Sequence, residues 1–278
     1  MSPSPQDRIN QACYADPWAV QGLAELQGFT DEGERAAFWH LVDTVRGQPV
    51  LDLGVGPGRT VPLLRALTAD YVGLDYLPTM VEAAQRRHAG VADIRLGDAR
   101  DLGAFPEGRF SLVVFSYNGI DSVARADRQR VLAEAFRVLR PGGVFWFSTL
   151  NLAGPAYRSR PWRPRPPRRP QRLLGGLRYA AQWLQAWSQV PAHVRTYRQG
   201  LRLGQQGEGW AVAPFFPGGW RLLVHYTSLA RQLADLADAG FAPAPQVFES
   251  EQGRAIGPGD ALDGAFCFHL LATRPGPG

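Results

Sequence analysis

Residues 49–60 read Pro49-Val50-Leu51-Asp52-Leu53-Gly54-Val55-Gly56-Pro57-Gly58-Arg59-Thr60, and this stretch decides the fold. A short apolar run ends in Asp-x-Gly-x-Gly-x-Gly, and a helix start follows. The pattern is that of a buried strand turning sharply into a helix, with main chain bared by glycine where a ligand can press against it. A dinucleotide fingerprint, Gly-x-Gly-x-x-Gly, would need its third glycine where Arg59 stands. Here the glycines fall on every second residue instead.

Outward from this stretch, strands and helices alternate. Asp31-Glu32-Gly33-Glu34 reads as a capping box before Phe38, Leu41, Val42 and Val45 at helical spacing. Thr60 is placed to cap the next helix, with Pro62 in its first turn and Leu63, Leu64 and Leu67 on its apolar face. Strands are expected at 71–75, 92–96, 110–115 and 144–149, with a helix at 78–87 and another carrying Val131, Leu132, Ala135, Phe136 and Leu139. Pro141-Gly142-Gly143 stops that second helix. Five strands alternating with helices imply a doubly wound parallel sheet. Thr227 or Ser228 caps a helix over 229–239, closed by Gly240. Strands at 246–249 and 265–273, with no helix between them, predict a reversed hairpin at one sheet edge.

The alternating glycines resemble motif I of the class I S-adenosylmethionine-dependent methyltransferases, and the resemblance covers residues 30–150 and 227–273. It implies an α/β fold: a doubly wound, Rossmann-like, seven-stranded sheet whose last strand is antiparallel, with an inserted cover subdomain. The corresponding organisation is a helical segment at 1–45, a cofactor-binding core at 46–150, an Arg-rich insert at 151–226, and a return to the core sheet at 227–278. S-adenosylmethionine is the implied cofactor. Gly54, Gly56 and Gly58 would admit its amino-acid part to the main chain, and Asp52 would help to fix that end. Asp75 would accept both ribose hydroxyls. Asp98 and Ala99 would face the adenine, with Tyr76, Met80 and Ser116 completing the site. Arg137-Val138-Leu139-Arg140-Pro141-Gly142-Gly143 resembles a structural signature of the same family. The chain is similar to the broad bacterial group called type 11, whose label covers many chemistries.

At 278 residues the chain suits one large α/β domain with an insertion. No run approaches the roughly 18 apolar residues of a membrane span. The first eight residues contain no signal-peptide core, and Cys13 and Cys267 show no metal-ligand spacing. A reduced, cytoplasmic protein without a metal is therefore expected. All the basic residues are Arg, and residues 151–210 hold eleven of them against Glu208 alone, a balance of +10. The remaining nineteen Arg face twenty-four acids, a balance of −5. Residues 158–172 contain seven Arg and five Pro and cannot be helix or strand interior. Leu173, Leu174, Leu177, Ala181, Leu184 and Trp187 follow at helical spacing, and Trp183 and Trp187 share a face expected to pack on the main domain. A strand pair within 210–213 and 220–226 follows, separated by Pro217-Gly218-Gly219. The Arg/Pro stretch reads first as a solvated loop, next as a recruiter of an anionic acceptor or RNA, and last, through the helix after it, as a contact for an anionic membrane surface.

Ligands of open α/β sheets bind at the carboxyl ends of the strands, which puts Ser116-Tyr117-Asn118-Gly119-Ile120-Asp121 beside the acceptor. The loop is not Asp/Asn-Pro-Pro-Tyr and holds no cysteine. Both methylation of exocyclic base amines and a covalent C5-pyrimidine mechanism therefore lose support. Asn118 and Tyr226 are the substrate-binding candidates, although Asn118-Gly119 is also a plain turn sequence. His225 is the candidate general base, with His193 behind it. Asp121 lacks companion carboxylates for a metal. Tyr14 and Trp18 precede the first core helix, where relatives fold a segment over the cofactor. A sulfonium is already an activated methyl donor, so catalysis rests mainly on position and desolvation. The expected activity is methyl transfer to oxygen or nitrogen of a small molecule. An RNA methyltransferase, a non-catalytic cofactor-binding protein and a nicotinamide dehydrogenase are the alternatives, the last disfavoured by Arg59 and the terminal strand pair.

Overall fold

The apolar run before the glycines forms β1 (Val50–Leu53), buried along its whole length at the middle of a seven-stranded sheet. The structure is a computed structural model that describes residues 4–26, 28–164, 176–257, 260 and 262–276. Three helices precede β1: α1 (Pro5–Tyr14), α2 (Pro17–Glu25) and α3 (Glu32–Val45). After it come α4 (Val61–Arg65), β2 (Tyr71–Asp75), α5 (Pro78–Arg87), β3 (Asp93–Leu96), β4 (Phe110–Phe115), α6 (Arg125–Val138) and β5 (Leu139–Leu150). The insert holds α7 (Pro155–Arg158), α8 (Gly176–Ser188), α9 (Val190–Leu201) and a separate antiparallel sheet of β6 (Gln205–Gly207), β7 (Trp210–Phe215) and β8 (Leu222–Thr227). The chain then rejoins the core through α10 (Leu229–Asp238), β9 (Gln246–Glu249) and β10 (Cys267–Thr273).

The main sheet runs in the order β3-β2-β1-β4-β5-β10-β9. Only β10 is antiparallel to its neighbours, wedged between β5 and β9. Alternation along the strands sorts the side chains into two layers. Leu51, Leu53, Val113 and Phe115 pack with Val131 and Leu132 of α6 and Leu236 of α10. Val50, Leu112 and Val114 pack on the other face with Phe38 and Leu41 of α3 and Val81 of α5.

Several local expectations change. The fifth strand begins at Leu139, five residues earlier than its apolar run suggests, because the Pro-Gly-Gly segment is carried within a register shift against β4. Thr60 does not cap α4; its hydroxyl donates to Asp52 instead, at 2.5 Å. Glu34 completes no capping box, because its carboxylate accepts from the Thr30 backbone and hydroxyl and from Arg59. Asp31 alone caps α3 by accepting from the Glu34 N–H. Trp183 and Trp187 stack on each other at 6.4 Å, and Trp187 is 53% exposed rather than packed on the core. Most of the Arg/Pro stretch, residues 165–172, lies outside the described residues. No helix among the described residues is long and apolar enough to cross a membrane.

The N-terminal segment is tied to the insert through polar side chains. Asn10 donates to the Leu223 carbonyl at 2.7 Å and accepts from the Leu223 N–H at 2.9 Å, and Gln6 donates to the same carbonyl. Because α1 grips β8, the insert and the N-terminus close together over the carboxyl ends of the core strands.

Candidate active site

Parallel strands that lie side by side bring their carboxyl-end loops into one row, and here those loops wall a single crevice. From β3 to β5 the row supplies Asp98, Asp75, Gly56, Ser116 and Leu150, each of which lines it. The three glycines of the opening stretch all have left-handed backbone, with φ of +61°, +54° and +92°. A Cβ on Gly54 would lie 2.6 Å from the Phe115 ring, and one on Gly58 would lie 2.5 Å from the His88 ring. A Cβ on Gly56 would meet nothing within 4 Å. Gly56 is therefore the position where main chain is bared to a ligand. Gly58 allows α4 and α5 to approach and does not line the crevice.

Asp75 fixes this loop. Its carboxylate accepts from the Gly56 N–H and the Leu77 N–H, both at 2.9 Å, and it lines the crevice. Burial raises its pKa, and the two N–H donors oppose the rise. Asp52, in contrast, is fully buried beneath the loop and absent from the crevice wall. Thr60 and Tyr71 donate to one of its oxygens, the other has no partner among the described residues, and burial pushes the carboxyl up to about 6. The expected contact between Asp52 and a cofactor is thus replaced by a supporting role under the turn.

Arg59, absent from the expected site, is one of its main charges. It grips Glu34 in a bidentate, buried pair at 2.6 and 2.9 Å and also donates to Ser116 Oγ and the Gly28 carbonyl. Its guanidinium lies 5.4 Å from the Tyr117 ring centre. At the other end Arg100 binds Asp98, Asp7 and Asp127. Asp7, Asp75 and Asp98 line the crevice against Arg59 and Arg100. Both guanidiniums are already paired with carboxylates, so the site suits a cation better than an anion.

The loop after β4 is strained. Tyr117 and Asn118 have φ of +53° and +57° without being glycine, a conformation that costs about 1–3 kcal/mol per residue and collects at functional sites. Asn118 N–H donates to Ser148 Oγ at 2.8 Å, while its carboxamide oxygen is buried without a partner among the described residues. Asp121 anchors the loop from below. It accepts from Arg128, Thr149 and the Leu150 N–H, so it is a structural hub rather than a metal ligand. Burial pushes its carboxyl up to about 6, and those donors keep it from rising further.

Tyr76, Met80, Ala99, Ser116 and Asn118 all line the crevice. The two residues chosen from β8 do not. His225 is fully buried, stacked on Trp210 at 5.8 Å, and neither ring nitrogen has a partner among the described residues. Burial, with Arg128 and Arg125 adding to it, drives its pKa far below the usual imidazole range. A side chain so placed cannot take a proton from a substrate in the crevice. Tyr226 is buried one layer behind the wall against Tyr157. His193 also lies outside the crevice, and Trp18 is 80% exposed. Asp31, Cys267 and His269 bring ligand-type atoms within 4.8 Å of one another outside the crevice. Asp31 there is already the α3 cap, bonded to the His269 ring at 2.8 Å.

The wall opposite the strand tips comes from Tyr14, which its place before the first core helix singles out, and from residues with no local signature. Tyr14 of α1, Phe215 and Pro217 of the insert, Val224 of β8 and Phe266 before β10 all line the crevice. Tyr14 bonds Ser122 at 3.0 Å, and burial pushes its phenol up to about 12. No charge pattern or spacing marks Phe215, Pro217, Val224 or Phe266, and the docking of α1 on β8 brings Tyr14 to them.

A seven-stranded sheet with one antiparallel strand, and a crevice across its glycine turn, define the class I S-adenosylmethionine-dependent methyltransferase fold. Residues 50–143 match the family described as methyltransferase domain. The chain is similar to a probable S-adenosylmethionine-dependent methyltransferase of Mycolicibacterium smegmatis, 33% identical over 132 residues, 48% of this chain and 49% of that protein. It is also similar to a malonyl-[acyl-carrier protein] O-methyltransferase of Serratia marcescens, 32% identical over 152 residues, 53% of this chain and 56% of that protein. The chain thus spans about half the length of these curated relatives. Among solved structures, the Burkholderia thailandensis 1,6-didemethyltoxoflavin-N1-methyltransferase, with bound 1,6-didemethyltoxoflavin and S-adenosylhomocysteine, shares the fold. Its TM-score is 0.57 at 13% identity, covering 99% of this chain and 92% of that one.

Proposed function

We propose that this protein is an enzyme that transfers the methyl group of S-adenosylmethionine to oxygen or nitrogen of a small, largely apolar molecule. The observation that carries this reading is the division of the crevice. One part has bare main chain at Gly56 beside a carboxylate, Asp75, and continues to Ala99 and Met80; the other is walled by Tyr14, Phe215, Val224 and Phe266. The residues fit the cofactor. Gly56 leaves an open cradle, Asp75 offers further lone pairs to hydroxyls, and three lining carboxylates against two guanidiniums favour a positively charged sulfur. When bound, the cofactor supplies a methyl group already activated on that sulfur.

What the chain contributes is placement and exclusion of water. Arg59 and Asp121 hold the Ser116–Asn118 loop from two sides, and the unpartnered Asn118 carboxamide oxygen is an acceptor for an N–H or O–H of the substrate. The titratable groups of the acceptor part are Tyr14 and Tyr117, both raised by burial, so neither takes up a proton near neutral pH. A nucleophile that needs no base before attack, such as a neutral amine, therefore fits the crevice best. An anionic acceptor drawn in by arginine gains no support, because Arg59 and Arg100 are both paired.

Calorimetry tests the reading: S-adenosylmethionine and S-adenosylhomocysteine bind, and NAD does not. Binding of NAD without either of the other two overturns it. Methyl-labelled cofactor incubated with a small-molecule extract is expected to transfer label to an organic-soluble product; label appearing only in RNA favours the nucleic-acid alternative.

A further inference from the structure

The insert presents a surface that the crevice does not use. On α8, Leu184 is 73% exposed and Trp187 53% exposed, three residues apart and therefore on one face. Trp183 and Trp187 stack at 6.4 Å, which stiffens this face. The next helix, α9, touches α8 and carries Arg195 and Arg198, with Arg202 as its C-cap, all exposed, at i, i+3 and i+7. None of the three has an ion-pair partner among the described residues. The chain from 151 to 210 offers them Glu208 as its one acid, although the rest of the molecule has an excess of acids. Leu201 and Leu203, 46% and 45% exposed, close the end of α9. Exposed Trp and Leu on one helix are costly in water, and the helix that follows adds exposed Arg with no ion pair among the described residues. They are what an interfacial helix needs, with apolar side chains entering the acyl boundary and guanidiniums meeting lipid phosphates.

We propose that the α8–α9 pair docks this protein on an anionic lipid surface, with Leu184 and Trp187 inserting and Arg195, Arg198 and Arg202 contacting headgroups. With eleven Arg against one acid, residues 151–210 are complementary to an anionic surface, and the exposed Leu184 and Trp187 suit the acyl boundary of a lipid layer. A second copy, whose remainder is acidic and exposes Trp18 and Trp39, is the competing occupant that the oligomeric state distinguishes. The proposal stands apart from the methyl-transfer reading.

Cosedimentation of the full chain with vesicles tests it. Phosphatidylglycerol/phosphatidylcholine vesicles are expected to pellet about tenfold more protein than pure phosphatidylcholine, and high salt removes most of the difference. The double variant Leu184→Ser/Trp187→Ser and the triple variant Arg195→Gln/Arg198→Gln/Arg202→Gln each lose the vesicle-bound fraction. S-adenosylhomocysteine binding on the same samples shows whether the crevice is intact, which separates failure of this surface from failure of the cofactor reading. Equal binding to both vesicle types, no binding, or variants that pellet like the parent overturn the proposal. A shift from dimer to monomer in the Trp187→Ser single variant, or capture of single-stranded RNA in place of vesicles, overturns it in favour of self-association or nucleic acid.

Discussion

The two sides of the crevice are built by different means. The strand-tip side relies on main chain and short acids: Gly56 bare, Asp75 holding it, Asp52 and Thr60 underneath. The opposite side is a set of aromatic and aliphatic side chains borrowed from α1, the insert and the segment before β10. A site made of backbone tolerates few residue types, because the conformation itself is the requirement. One made of apolar side chains tolerates many, because any shape that fills the space and excludes water will serve. The first arrangement suits a ligand that does not change, and the second suits an acceptor that differs between relatives.

Four experiments break or sharpen this contrast. Gly56→Val should have the largest effect, since it combines a strained left-handed β-branched residue with a side chain in the open cradle. S-adenosylhomocysteine affinity should fall more than about 100-fold by calorimetry, roughly 3 kcal/mol; retained affinity would place the ligand elsewhere. Asp52→Asn should change the pH dependence of stability. With its carboxyl raised to about 6 from 3.8, Asp52 is fully compatible with folding below its unfolded pKa and opposes folding progressively as pH rises through 6. The variant should therefore gain on the parent by up to about 3 kcal/mol between pH 4 and pH 7.5 in denaturant unfolding, and a pH-independent difference would show that Asp52 is not strained by burial.

Phe215→Ala should act on the other side. It is expected to raise the acceptor KM about tenfold while the cofactor Kd stays within about twofold, because only one wall is altered. Equal losses in both constants would mean that the two sides are not separable. The smallest effect should come from His225→Phe, which keeps the stack on Trp210 and removes two unpartnered ring nitrogens. Turnover should remain within about twofold of the parent; a loss of orders of magnitude would restore a proton-transfer role to a residue that has no access to the crevice.

The acids and histidines show where reading the chain succeeds and where it stops. Asp75 lies at the end of an apolar strand, and its distance from the glycines is fixed by one strand-helix-strand unit, so its place on the crevice wall follows from local pattern. Asp52 has the same local appearance but faces inward, because its neighbours Thr60 and Tyr71 offer the hydroxyls that a buried carboxylate requires. His225 lies within β8, two residues before its end, and its ring stacks on Trp210 outside the crevice. That placement follows from the pairing of β7 with β8, which the residues around His225 do not encode. Arg59 first counted as a residue that spoiled a dinucleotide motif. Its function appears only once Glu34, 25 residues earlier, is brought within 2.6 Å.

The chain by itself determined the alternation of strands and helices, the terminal strand pair and the row of loops where a nucleoside cofactor would lie, because strand and turn chemistry act over a few residues. The tertiary structure alone decided which acids face the crevice, which histidine is sealed away and what forms the acceptor wall. Those outcomes depend on the packing of segments up to about two hundred residues apart, such as Asn10 on Leu223, and no local pattern encodes such a contact.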